Sequence, residues 1–137
     1  MRTRNFVSRA EFPYDERVMD GIKKGVDCTG ITVVYFCHDG GGNVVLAKRS
    51  ANARDEQGTW DIGGGALEWD ARVEDTLRGE IKEEYGAEAK EFRFLGFRDV
   101  HREKDGVRTH WVALDFKVLV DRAEVRNCEP HKFDQVE

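Results

Sequence analysis

Trp60-Asp61-Ile62-Gly63-Gly64-Gly65 runs, after a six-residue link, into Arg72-Val73-Glu74-Asp75-Thr76-Leu77-Arg78-Gly79-Glu80-Ile81-Lys82-Glu83-Glu84-Tyr85-Gly86. The second part has a helical period. Val73, Leu77, Ile81 and Tyr85 recur every four residues and make one apolar stripe, which predicts a helix over 72–85. Gly86 stands where a helix is stopped by a residue in the left-handed conformation. The first part reads as a short strand, Thr59 to Ile62, that breaks on three glycines. A glycine run frees the backbone from the limits a Cβ imposes and lets chain or ligand approach closely.

The predicted helix carries Glu80, Glu83 and Glu84 within an arc of about 100° beside the apolar stripe. Three carboxylates this close repel one another, and a hard divalent cation with oxygen ligands relieves the repulsion. A glycine turn leading into a carboxylate helix is therefore a place to hold a metal-bound pyrophosphate. The competing reading is an ordinary solvated Glu-rich helix.

Working outward, Thr29 to Phe36 is β-branched and aromatic, a buried strand. His38-Asp39-Gly40-Gly41-Gly42-Asn43 reads as a hairpin turn with Val44 to Lys48 as its return strand. Ser50 to Gly58 is a polar loop. Beyond the helix, Phe92–Arg102 and Val107–Val120 read as two long strands joined at Lys104-Asp105-Gly106, a hairpin signal. Arg126 to Pro130 is a loop, with one more strand start before Glu137. Strands on both sides of one strong helix define a mixed α/β class. The 137 residues fit one domain, 1–137, with 1–27 as an N-terminal arm or irregular edge.

Composition excludes several classes. Charged residues are 36% and hydrophobic residues 39% of the chain, which fits a globular protein with a charged surface and not a disordered one. The net charge of −5 weighs against a nonspecific DNA binder. The longest apolar stretch, Ile31 to Cys37, is far below the roughly 18 residues a membrane helix needs. No apolar run follows Arg2 and Arg4, so no secretory signal is read, and a cytoplasmic location is expected. Cys28, Cys37 and Cys128 form no Cys-x-x-Cys pair or disulfide framework. His38, His101, His110 and His131 lack metal-ligand spacing along the chain and read as surface or strand histidines.

Residues 58–87 resemble the Nudix box of the Nudix hydrolases. Gly65 opens the pattern, Glu80-Ile81-Lys82-Glu83-Glu84-Tyr85-Gly86-Ala87 matches its second half without a gap, and Trp60 to Gly64 resembles the usual lead-in. The resemblance implies a Nudix-type α/β/α sandwich around a mixed β-sheet. It also implies Mg²⁺ or Mn²⁺ held by Glu80, Glu83 and Glu84, with the carbonyl oxygen of Gly64 or Gly65 completing the shell. The implied reaction is hydrolysis of a nucleoside diphosphate linked to another group. Two positions depart from the box: Ala71 stands where its first Glu belongs and Gly79 where its Arg belongs. The resemblance implies that these two side chains pair in the family and brace the loop against the helix. Glu68, Asp70, Arg72 and Arg78 are the nearest substitutes. Losing both departs toward an alternative reading, a catalytically weakened Nudix-fold module that binds nucleotides or regulates.

Lys48, Arg49 and Arg54 lie before the box and are candidates to neutralise phosphates. Trp60, Phe97 or Phe6 is a candidate to stack on a base, and Glu129 is the late-chain carboxylate that some family members place near the metal. The expected partner is a nucleotide-derived small molecule, with no membrane and no DNA, and a homodimer is left open. Family members usually carry a closing helix after the region where this chain ends, so a clipped C-terminal end is also left open.

Overall fold

The structure is a computed structural model that describes residues 21–137. Residues 1–20, which hold Phe6 and most of the expected arm, lie outside the described residues. Strand β1 (Gly30–His38), β2 (Ala47–Arg49), β3 (Trp60–Asp61) and β4 (Gly64–Ala66) precede helix α1 (Val73–Tyr85). Strands β5 (Glu91–Lys104) and β6 (Val107–Leu119), a short 3-10 turn at Arg122–Glu124 and β7 (Phe133–Val136) follow.

Four strands form a mixed sheet in the order β4-β1-β6-β5, with β1 parallel to β6 and the other pairs antiparallel. Three form a second, antiparallel sheet in the order β3-β2-β7. The core lies where α1 meets the inward faces of these sheets. Val33, Tyr35 and Cys37 alternate along β1, and Leu77, Ile81 and Tyr85 come from α1. Phe116, Val118, Val45, Ala47 and Phe133 complete it. The period of two in the strands and of nearly four in the helix are the two patterns read from the sequence.

The predicted hairpin after β1 is only partly present. Asp39 caps the turn through Gly41 and Asn43, and His38 bridges Val44. The Val45 N–H donates to the Cys37 carbonyl at 3.0 Å. The chain then leaves, and Ala47–Arg49 pairs with β3 and β7. The reason is topological: β6 holds one edge of β1 along its whole length, and β4 with Gly63 holds the other over Thr32–Tyr35, so only the Cys37–His38 end is left for a return strand. The β5–β6 hairpin follows its turn signal. Asp105 and Gly106 have φ of 52° and 77°, the two positive values a two-residue type I′ turn requires. A bulge at Leu95 shifts the register between Phe94 and Gly96.

Within residues 21–29, Gly25 and Thr29 meet β6, and Lys24 reaches the loop before α1. The His110 N–H donates to the Gly25 carbonyl at 2.7 Å. Trp111 lies against the backbone of Gly25 and Gly30, where an added Cβ would fall 2.2 and 2.4 Å from its ring.

Candidate active site

Three elements build the site. The turn Ile62–Gly65 runs across the core end of β1. The Tyr85 hydroxyl donates to the Ile62 carbonyl at 2.8 Å. Gly63 has φ of 118°, and a Cβ there would stand 2.4 Å from the Tyr35 ring and 2.8 Å from the Tyr85 hydroxyl. Only glycine satisfies both demands. At Gly65 a Cβ would fall 2.1 Å from Glu80 Cδ and 2.5 Å from both its carboxylate oxygens. The glycine thus makes a cradle in which the Glu80 carboxylate lies over bare backbone. The Gly65 carbonyl accepts from the Thr32 hydroxyl at 2.9 Å, and Gly64 pairs with Val34 in the sheet.

The second element is α1. Its three glutamates run from solvent to core. Glu83 is exposed, Glu80 is half-buried, and Glu84 is 1% exposed among the largest fully buried side chains. Glu84 Oε2 accepts a short hydrogen bond from the Tyr35 hydroxyl, and its Oε1 accepts one from Lys132 Nζ. Burial, followed by the charges of Glu84 and Glu83, pushes the Glu80 carboxyl up to about 7. Burial also raises Glu84, against the opposing pull of Lys132 and Tyr35. Burial and the Glu84 charge push the Tyr35 hydroxyl well above its ordinary range.

The third element is the late turn. Arg126 and Cys128 donate their backbone N–H groups to the carbonyls of Tyr85 and Glu84, both at 3.0 Å. These bonds satisfy carbonyls that a helix end leaves without partners. They also deliver the following turn to the carboxylates. The N–H groups of Lys132 and Phe133 close on the Glu129 carbonyl, and Ser50, buried at the end of β2, clamps the turn through His131 and Lys132. Lys132 Nζ lies 3.4 Å from Glu129 Oε2. That oxygen is buried and has no hydrogen-bond partner among the described residues. Burial works against the Lys132 charge, but Glu84 and Glu129 outweigh it and hold the ammonium above its usual range.

The structure therefore gathers Glu80, Glu84 and Glu129 around Lys132, with Glu83 at the rim. Lys48, Arg49, Arg54 and Trp60 sit instead on the second sheet and its loop. Lys48 pairs with Trp60, which is 43% exposed, and Arg54 is exposed in the 50–58 loop. Arg49 has its guanidinium committed to Asp55, at 2.6 Å, and Asp61, at 3.6 Å. Phe97 is 68% exposed on β5. Sequence reasoning missed Lys132 and Ser50. The Glu129-x-x-Lys132 spacing was the available hint for the lysine, and nothing in the sequence marks the serine.

The bracing of the loop before α1 also differs from the box. Ala71 is exposed and a Cβ at Gly79 would meet nothing within 4 Å. Lys24 reaches across instead, bonding the Glu68 carboxylate and, at 3.3 Å, the Leu67 carbonyl. Arg78 turns away to Glu74, the Ala89 carbonyl and the Phe92 ring.

The NUDIX domain family matches residues 29–137, so the chain belongs to the Nudix family of nucleoside diphosphate hydrolases. Among solved structures it is similar to a MutT NUDIX hydrolase from Burkholderia pseudomallei. That match has a TM-score of 0.70 and 26% identity, over 80% of this chain and 81% of that one. A MutT protein from Methanosarcina mazei Go1 matches with a TM-score of 0.63 and 22% identity, over 80% and 75%. The NUDIX domain of Shewanella oneidensis NrtR, solved with ADP ribose, matches with a TM-score of 0.63 and 18% identity, over 96% and 82%. At those lower identities the likeness is one of fold. Comparison with curated proteins gives no match. Among the described residues no helix is long and apolar enough to cross a membrane.

Proposed function

We propose that this chain is a divalent-metal-dependent pyrophosphohydrolase acting on a nucleoside diphosphate linked to another group. One observation carries the reading: Glu80, Glu84 and Glu129 converge behind a glycine cradle, with Lys132 the one cation that Glu84 and Glu129 share among the described residues. Carboxylate oxygens held close against their own repulsion fit Mg²⁺ or Mn²⁺. Glu80, Glu83 and Glu84 would hold the cation, with Glu129 beside them and the Gly64 carbonyl as the backbone candidate, since the Gly65 carbonyl is taken by the Thr32 hydroxyl. A bound cation supplies neutralisation of diphosphate charge and activation of a water.

The chain's own residues do the rest. Glu80, its carboxyl raised to about 7 by burial and by Glu84 and Glu83, would give up its proton on taking the cation. Tyr35 and Lys132 fix the Glu84 carboxylate. On the outer face of the mixed sheet, a groove of about 590 Å³ lined by Val34, Phe36, Ile62 and Leu95 begins beside the glycine turn. It offers an apolar wall for a base, and Arg98, bonded to Asp115 at 2.6 and 2.8 Å, supplies a polar edge.

A second reading has its own observation. Lys132 already neutralises Glu84, and the box pair at 71 and 79 is missing, which favours a module that holds nucleotides with little turnover. The NrtR domain crystallised with ADP ribose is a relative in fold. A panel of nucleoside diphosphate derivatives, ADP ribose included, separates the two when binding and mononucleotide release are followed with Mg²⁺. Release that requires the cation and is lost in Glu80→Gln supports the enzyme. Binding without release across the panel supports the module.

A further inference from the structure

The β5–β6 hairpin carries a second cluster of ligand-type side chains that the Nudix helix does not explain. His101 and His110 are direct cross-strand partners, and their rings stack with centroids 4.2 Å apart and 16° between planes. Asp99 lies two residues before His101, on the same face of β5, and its Oδ1 is 2.9 Å from His110 Nε2. One ligand atom from each of the three falls within 4.8 Å of the others. Donors around a tetrahedral zinc stand about 3.3 Å apart, from bond lengths near 2.0–2.1 Å. A bound ion would have to draw the widest of these separations in by up to about 1.5 Å.

The surroundings fit a cation. The Thr29 hydroxyl lies 3.2 Å from His110 Nδ1, so one ring nitrogen is held from behind while the other faces Asp99. That division of roles is the usual support for a metal-bound imidazole. The histidines open onto a surface pocket of about 530 Å³, which leaves room for water or a further donor. Two arginines line that pocket, and both are engaged by carboxylates. Arg102 lies 3.2 Å from Glu56 and Arg108 lies 3.7 Å from Glu103.

We propose that Asp99, His101 and His110 form a site for a zinc-class transition-metal cation, built from residues other than the carboxylates of α1. Two imidazoles with one carboxylate select Zn²⁺, Co²⁺ or Ni²⁺ over Mg²⁺, which prefers oxygen. The chain thereby offers two chemically different cation sites.

The test is calorimetric titration of the tag-free full chain with Zn²⁺ in excess Mg²⁺, so that the α1 carboxylates are already occupied. One equivalent of Zn²⁺ should bind, with affinity at least tenfold weaker in both His101→Ala and His110→Ala, judged by usual losses at metal sites. No binding under these conditions overturns the site. So does binding that survives both histidine changes and disappears in Glu80→Gln. Because a hairpin variant could fail to fold, the wild type is also read by NMR with Co²⁺. The imidazole signals of His101 and His110 should shift and broaden first. If they stay unmoved while other signals respond, the assignment is overturned.

Discussion

Glu84 illustrates how one residue changes meaning between chain and fold. It stands seven residues after Leu77 and three after Ile81, so it belongs to the buried stripe as much as to the carboxylate edge. An ionised carboxylate inside a core is costly unless it is bonded, and Tyr35 and Lys132 supply the bonds. Lys132→Met should therefore destabilise the metal-free protein by about 1–3 kcal/mol, the usual cost of leaving a buried acceptor unpaired. Thermal melts check this, and Mg²⁺ should restore part of the loss in the variant. A variant that melts with the wild type would show that Glu84 does not need the lysine. Gly65→Ala separates site from scaffold. Its Cβ would displace only the end of the Glu80 side chain, 2.1 Å away. Stability should stay within about 1 kcal/mol, the usual range for such a change where the backbone tolerates it. Metal-dependent turnover should fall at least tenfold. An unaffected rate would mean that the position of Glu80 over the cradle is not needed.

Among the elements, α1 and the β5–β6 hairpin were legible in the sequence because each carries its own period and its own stop. Arg72 and Gly86 bound the helix as read, and the Lys104-Asp105-Gly106 turn fixed the hairpin. That turn also held unread information: three pairs up the ladder from Lys104↔Val107 stand His101 and His110. Spacing along the chain hides such a pair because a hairpin brings together residues nine apart. The destination of β2 was not legible. Whether Ala47–Arg49 returns along β1 depends on which strands already hold its edges, and those are β4 and the distant β6. The delivery of Glu129 and Lys132 was likewise set by the end of α1, whose carbonyls take up Arg126 and Cys128. The helix yields a clean prediction. Gly79 is mid-helix with open space where a Cβ would be, so Gly79→Ala should stabilise by about 1 kcal/mol, or about 3–5 °C in Tm for a chain of this size. The loop before it yields another. Lys24→Met removes an ion pair whose carboxylate side is exposed, worth at most about 1 kcal/mol in stability. If this pair replaces the box brace, turnover should fall several-fold with little change in melting. A rate equal to wild type would show that the 66–72 loop is held by other contacts.

For the molecule as a whole, the resemblance of residues 58–87 already implied the family, because the glycine turn and the carboxylate helix are both written within that one stretch. What it left open is how the site's charge couples to stability. The Glu80 carboxyl lies at about 7 in the folded chain against an ordinary 4.5. Below 4.5 it is protonated whether folded or unfolded. Between 4.5 and 7 the unfolded chain releases the proton and the folded chain keeps it, so this group's contribution to stability is lost as pH rises through that window. Above 7 the folded protein carries the full repulsion of Glu80 with Glu84 and Glu83. A divalent cation binds the deprotonated form and relieves that repulsion. The rise in Tm produced by Mg²⁺ should therefore be larger at pH 8 than at pH 5.5. Below pH 7 the apparent affinity for the cation should weaken by about tenfold per pH unit, the slope for release of one proton. Glu80→Gln should flatten both dependences, since the amide has no proton to lose. Melting curves with and without Mg²⁺ across pH 5–8.5, for wild type and variant, measure this. A Mg²⁺ effect of equal size at both ends of the range would mean that Glu80 is not the group the cation meets.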